Sequence, residues 1–222
     1  MEKTITVTGS GSLRLKPDEA IVNLTVTGSD PAYEPAVAKA TELLCGLQKA
    51  LAPLGFEKSD LKTASLRVDT EYEDFRDKDG MYHQKMKGYR CTHRLELRMD
   101  FAEGDTRLPN TLSAIAASVA DPELNVSFGM KDQEKASRAL LQKAAENAHE
   151  KAKILTAAAG VTLGELLRID YSWGEVAFRS ETNFRMAKAM CCDAASGAAA
   201  GLSVSPEDIR VEDNATFVWA IG

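Results

Sequence analysis

The sequence predicts an α+β fold, with antiparallel sheet, helices packed on one face of it and one long β-hairpin. Three observations predict it. Apolar residues alternate with period two along much of the 222-residue chain, the pattern of strands with one buried face. Three stretches switch to a spacing of three and four, the pattern of amphipathic helices. The strand-like stretches also come in neighbouring pairs bounded by turn residues, so hairpins organise the chain and not a run of βαβ units.

Taken in order, Thr4-Ile5-Thr6-Val7-Thr8 alternates and meets Gly9-Ser10-Gly11, read as a turn or bulge. Ala20, Val22, Leu24 and Val26 alternate again, in a strand expected to end at Gly28-Ser29-Asp30-Pro31. From Tyr33 the period changes: Val37, Ala40, Leu44, Leu47 and Leu51 continue a helical stripe that Pro53 and Gly55 stop. A strand follows with Ala64, Leu66, Val68, Thr70 and Tyr72 on one face, then turn chemistry at Asp79-Gly80.

The return strand carries the clearest alternation. Tyr89, Cys91, Leu95, Leu97, Met99 and Phe101 share an inward face, and Arg90, Arg94 and Arg98 an outward one. Asp105 can cap a helix carrying Leu108, Leu112, Ile115 and Val119, and Leu124, Val126, Phe128 and Met130 form a short strand. The longest helix runs from about Asp132 to Gly160, with Leu141, Ala144, Ala148, Ala152, Leu155 and Ala159 as a narrow stripe whose small residues allow close approach to a sheet. Gly160 suits the left-handed position that closes it. Leu167, Ile169, Tyr171 and Trp173 form another strand, and Ile209 to Ile221 a last one with Val211, Ala215, Phe217 and Trp219 inward. Residues 174–205 lose all period and become rich in Ala, Ser and Gly, so a flexible excursion is expected there, with a short helix around Phe184–Ala189. The chain reads as one domain over 1–222, or as two α/β lobes of about 1–101 and 102–222.

Composition narrows the function classes. With 44% hydrophobic residues the chain can build a core. A formal charge of −6 argues against a phosphate-backbone binder, so no nucleic-acid partner is expected. No apolar run approaches the ~18 residues of a transmembrane segment. The four cysteines, Cys45, Cys91, Cys191 and Cys192, form no C-x-x-C pair and no zinc pattern. Cys45 and Cys91 fall on apolar stripes and read as buried thiols. Unpaired cysteines, with no hydrophobic signal core after Met1, point to a cytoplasmic location. The alternative is export to the periplasm with a leader removed.

Several stretches taken together resemble the SIMPL-domain family of bacterial proteins. They are Ile5–Gly11 leading to Lys16-Pro17-Asp18-Glu19-Ala20, Leu54-Gly55-Phe56 leading to Asp60-Leu61-Lys62-Thr63, and Gly88-Tyr89 opening the long strand. Two more are the Ala-rich helix closing on Ala158–Gly164 and Val204–Val211 before the last strand. The resemblance spans nearly the whole chain. It implies an α+β fold, a tendency to self-associate, frequent export to the bacterial envelope, and links to stress or antigenicity without an established enzymatic activity. It defines no functional residue that carries over.

The residues themselves offer little chemistry. Gly9-Ser10-Gly11 lacks the further glycines and the helix start of a phosphate loop. Asp77-Lys78-Asp79-Gly80 has Phe75 and Met86 where a calcium loop needs oxygen ligands. His149-Glu150 is followed by Lys153 where a zinc helix needs its second His. Ser59-Asp60-Leu61-Lys62 has no partner motif. Asn23, Asn125 and Asn214 open N-x-S/T triplets on strands, where glycosylation is not expected. His93 shares the inward stripe with Cys91 but has no nucleophile beside it in the sequence.

No catalytic, cofactor or metal site is therefore assigned, and no cofactor is expected. The expected function is that of a non-enzymatic, self-associating protein, related to stress or scaffolding. The alternative is a small-molecule-binding or thiol-redox enzyme using Cys191, Cys192 or His93. The candidate surface for a homo-oligomer is the tip of the long hairpin, where Tyr72, Phe75, Met81, Tyr82, Met86 and Tyr89 group with basic residues. Tyr89–Phe101 alone would extend ~43 Å at ~3.3 Å per residue, so the ribbon must outrun a small sheet unless it bends at a bulge near Gly88.

Overall fold

The computed structural model describes residues 3–76, 80–171, 176–186 and 204–222. Its strands and helices are β1 (Thr4–Leu15), β2 (Glu19–Asp30), α1 (Tyr33–Leu51), β3 (Leu61–Arg76), β4 (Tyr82–Asp100), α2 (Arg107–Ala116), β5 (Glu123–Gly129), α3 (Gln133–Ala158), β6 (Leu163–Asp170), β7 (Arg179–Met186) and β8 (Ile209–Ile221). They build a three-stranded sheet ordered β1-β8-β6 and a five-stranded sheet ordered β3-β4-β2-β5-β7. The pairs β1–β8, β6–β8, β2–β4 and β3–β4 are antiparallel. The fold class is thus α+β, as the alternation predicts. Two compact units interleave in sequence: Met1–Asp18, Gly129–Glu181 and Pro206–Gly222 form one, Glu19–Phe128 and Thr182–Ser205 the other. No helix among the described residues is long and apolar enough to cross a membrane.

In the first unit the C-terminal strand lies between β1 and β6, and α3 packs chiefly on β1 and next on β8. Asp132 caps α3 by accepting a hydrogen bond from the Lys135 amide at 2.9 Å. Gly160, at φ 70°, ends it in the left-handed conformation, and the Val161 amide donates back to the Thr156 carbonyl at 3.0 Å. The buried stripe is Ala136, Leu140, Ala144, Ala148, Ala152 and Thr156, a strict spacing of four. Leu155 and Ala159, expected on it, are exposed, because a spacing of four drifts around a helix of 3.6 residues per turn.

Gly9 and Gly11 neither turn nor bulge the chain. They lie within β1, directly under α3. A Cβ at Gly9 would come within 2.0 Å of the Ala144 carbonyl oxygen, and one at Gly11 within 2.1 Å of that of Leu140. The glycines mark where helix backbone rests on strand backbone. Because α3 sits over β1 and β8, the face of β6 is bare, and Leu166, Leu167 and Ile169 are exposed.

The second unit repeats the device. Gly28 was expected to end its strand but lies inside β2, and its Cβ would meet the Ala36 carbonyl at 2.5 Å and the Ala40 amide at 2.6 Å. Helix α1 therefore lies close on β2 and β4. Leu24, Leu47, Leu95, Leu97, Leu112, Ile115, Val126 and Phe128 fill the core between sheet and helices. In β4 the odd-numbered Cys91, His93, Leu95, Leu97 and Met99 are buried, whereas Arg90, Arg94 and Arg98 face outward, as the alternation requires. The amide of Arg107, at the start of α2, donates to Asp105 Oδ1 at 3.1 Å.

Three further expectations fail in detail. Cys45 is exposed, since the buried positions of α1 are Ala36, Ala40, Leu47 and Leu51. Val119 is 85% exposed, because α2 ends at Ala116 and its stripe stops at Ile115. Residues 179–186, placed in an irregular excursion with a helix starting at Phe184, form strand β7. There pairing with β5 and packing of Phe184 against Phe128, with ring centroids 6.4 Å apart, override the weak local pattern. Trp173 and residues 187–203 lie outside the described residues.

The tight strand–helix contacts make a direct test. Gly11→Ala is expected to lower stability by at least the ~1–3 kcal/mol typical of overpacking, read from the urea midpoint, because the obstructing atoms are helix backbone and cannot rotate away. Ser12→Ala, on the exposed face of the same strand, should leave the midpoint within about 0.5 kcal/mol. Equal midpoints for the two variants would refute the close packing of α3 on β1.

Candidate functional site

The β3–β4 hairpin gathers most of the side chains singled out in the sequence. Strand β4 is paired on both sides only along part of its length. Its partner β2 begins at Glu19 opposite Asp100 and ends at Asp30 opposite Tyr89. Beyond that point Tyr82–Gly88 pairs with β3 alone, from Glu71↔Gly88 to Arg76↔Tyr82. A register shift separates Glu71 from Tyr72, so Lys87 is the extra residue of a bulge. Gly88, at φ 154°, occupies it because a Cβ would strike the Asp30 carbonyl at 2.4 Å and Pro31 Cα at 2.8 Å, where the end of β2 crosses. The bulge near Gly88 and the extension of the hairpin beyond the end of β2 therefore both occur.

The base of the free ribbon is secured. The Asp30 carboxylate accepts hydrogen bonds from Lys39 Nζ at 2.7 Å and the Ala32 amide at 3.0 Å, and Lys39 followed by that amide holds its pKa below the ordinary carboxylate value. Tyr89 meets Tyr33 of α1 edge to face, with centroids 5.7 Å apart, and Arg90 pairs with Glu71 across the strands. Farther out, the register distributes the apolar side chains over both faces. Tyr72 opposes Met86, and the Arg76 guanidinium lies 4.4 Å from the Tyr82 ring centroid. Phe75 opposes His83 on the other face, with centroids 5.6 Å apart. Tyr72 is 62% and Tyr82 71% exposed, and Phe75, Met81 and Met86 are also exposed. The face of Tyr72 and Met86 continues that of Leu66 and Val68, which α1 leaves uncovered as it packs on β2 and β4.

His93 is the other residue of interest. It is buried on β4 between Cys91 and Leu95, and its Nε2 lies 2.9 Å from Thr63 Oγ1 on β3. Burial lowers its pKa and raises that of Cys91, so both groups are held in their neutral forms. A neutral imidazole hydrogen-bonded to a hydroxyl is a satisfied core residue in this setting, and an un-ionised buried thiol is not activated for attack. Cys191 and Cys192 lie outside the described residues. Among the described residues no three His, Cys, Asp or Glu side chains converge as metal ligands. The sequence points to the hairpin tip and His93 but not to the uncovered stretch of β3, whose apolar face is left open only by the placement of α1 on β2 and β4.

A pH dependence follows from His93. Its pKa is lowered in the folded state, so the unfolded chain binds the extra proton first as pH falls below about 6.5. Stability should therefore be complete above that pH and decline below it, by no more than ~1.4 kcal/mol per pH unit from this residue. His93→Gln should lose less between pH 7 and pH 5 than the native chain in urea titrations; parallel losses would dismiss His93 as a source.

The chain matches the SIMPL family, described as a protein of unknown function (DUF541), over residues 5–219. It is also 29% identical over 169 residues to the 26 kDa periplasmic immunogenic protein of Brucella melitensis biotype 1, and equally to that of Brucella abortus strain S19. Each alignment covers 74% of this chain and 65% of the relative, so the chain spans less than two thirds of the length of these relatives.

Proposed function

The chain belongs to the SIMPL family, and on that footing we propose that it acts in the periplasm as a self-associating protein, through its surfaces and not through a reaction. The observation that carries this reading is the free end of the hairpin. Tyr72, Met81, Tyr82 and Met86 are exposed on a two-stranded ribbon that has left its sheet. An isolated ribbon of this kind is marginal by itself, and aromatic, Met and Arg side chains are those enriched where proteins meet. The periplasmic location is supported by the description of the Brucella relatives. It replaces the cytoplasmic location expected from the sequence. The burial of His93, hydrogen-bonded to Thr63 Oγ1, supports a surface role over an enzymatic use of that residue.

The test is to replace residues 74–84 by Asn-Gly and measure mass by light scattering against the native chain. The native chain should be oligomeric and the shortened one should dissociate at equal concentration, with an unchanged far-UV spectrum. A native chain that stays monomeric at high concentration defeats the proposal, as does a shortened chain of unaltered mass.

A further inference from the structure

Strand β3 is the edge of the five-stranded sheet, and its outer edge leaves backbone donors and acceptors without strand partners. Natural edges of this length are usually interrupted by proline or by charges pointing inward. Neither occurs between the two register shifts of β3, which fall between Thr63 and Ser65 and between Glu71 and Tyr72. The regular run is Ser65–Glu71, and its midpoint is Val68. One face of this run carries Leu66, Val68 and Thr70, opposite His93, Cys91 and Tyr89 of β4. The other carries Ser65, Arg67, Asp69 and Glu71; Arg67 Nε donates to Asp69 Oδ1 at 2.8 Å, and Glu71 pairs with Arg90 of β4.

From this we propose that two copies of the chain pair antiparallel along β3, edge to edge, about a two-fold axis through Val68. The inference rests on the self-association proposed above and names the contact. The register is selected by charge. With Val68 opposite its own copy, Arg67 faces Asp69 of the second copy twice, so two ion pairs cross the contact on one face, with Ser65 opposite Glu71 at each end. On the other face Leu66 meets Thr70 and Val68 meets Val68, an apolar strip continuous across both copies. Centring on Asp69 sets two carboxylates opposite each other, and centring on Arg67 sets two guanidinium groups together. A slip of one residue puts the charged face of one copy beside the apolar face of the other. The axis that the charges choose is thus also the midpoint of the run that the two shifts leave regular. Such pairing converts two open edges into one continuous sheet and places the exposed Leu66 of each copy against its partner.

Charge exchange tests the register, with urea midpoints of each variant as the control for the fold, because Asp69 also faces Arg90 of β4 within its own chain. Arg67→Asp and Asp69→Arg, each alone, place like charges in both cross-copy pairs and should raise the dissociation constant of the dimer at least tenfold by sedimentation equilibrium. The double variant R67D/D69R restores alternation and should recover the native value. A second measurement uses Val68→Cys in a background with Cys45, Cys191 and Cys192 changed to Ser and Cys91, which faces Val68 from β4, changed to Ala so that no intrachain bridge can form. Directly opposed strand residues lie within the Cα separation a disulfide requires, so mild oxidation should yield a linked dimer. Thr70→Cys in the same background should not link, its two copies lying ~13 Å apart. If the chain oligomerises but neither single charge change weakens it, or the double variant fails to recover, or Val68→Cys does not link, the β3 contact is wrong while self-association through the tip stands. If the native chain is monomeric, both proposals fall.

Discussion

The closeness with which helix backbone approaches strand backbone constrains each unit. Glycine at positions 9 and 11 lets α3 settle on β1 at a distance no side chain would permit, and Gly28 does the same for α1 on β2. The alanines that face these glycines, Ala144 and Ala148 in one unit and Ala36 and Ala40 in the other, complete the fit. Interiors packed this densely gain dispersion contacts along the whole seam, and they cannot absorb an added methyl group without moving backbone. A helix held so tightly on one strand covers that strand and its neighbour. It reaches the next only at its margin.

The uncovered strands follow from that limit. In the first unit α3 leaves the face of β6 bare, and in the second α1 leaves the face of β3 bare. Leu66 and Val68 are apolar because they continue the inward face of β4, yet they have no helix over them. The ribbon beyond Gly88 extends the same situation, since β2 ends at Asp30 and two strands continue without a third. The surface on which the functional reading rests is therefore a consequence of where α1 stops. By contrast the titratable residues of the interior are paired or neutral: His93 is hydrogen-bonded to Thr63, and burial keeps Cys91 protonated.

Much of this was legible from residue order. The alternation of Tyr89–Phe101 stated which side of β4 is buried, the Leu108–Ile115 spacing located α2, and Asp132 and Gly160 bracketed α3. The failures share one physical cause. Gly9 and Gly11 suggest a turn or bulge, and Gly28 a strand end, because glycine relaxes backbone restrictions locally, whereas here its use is the missing Cβ facing another element. Residues 179–186 carry no strong period, and only pairing with β5 makes them a strand. Cys45 and Val119 sit on spacings that fit a stripe but lie off the side of the helix, or past the end of it, that meets the core.

The sequence by itself determined the kind of most elements and their inward sides, because side-chain period and capping chemistry act over a few residues, and its ordered motifs carried the resemblance to the family. It also carried the charge pattern of Arg67 and Asp69. The tertiary structure alone decided that the last strand enters between β1 and β6, that the two units interleave along the chain, and that β3 lies at an edge. Those choices depend on which distant strands pair and which helix backbone can come nearest, and a local period holds no information about a partner far away in the chain.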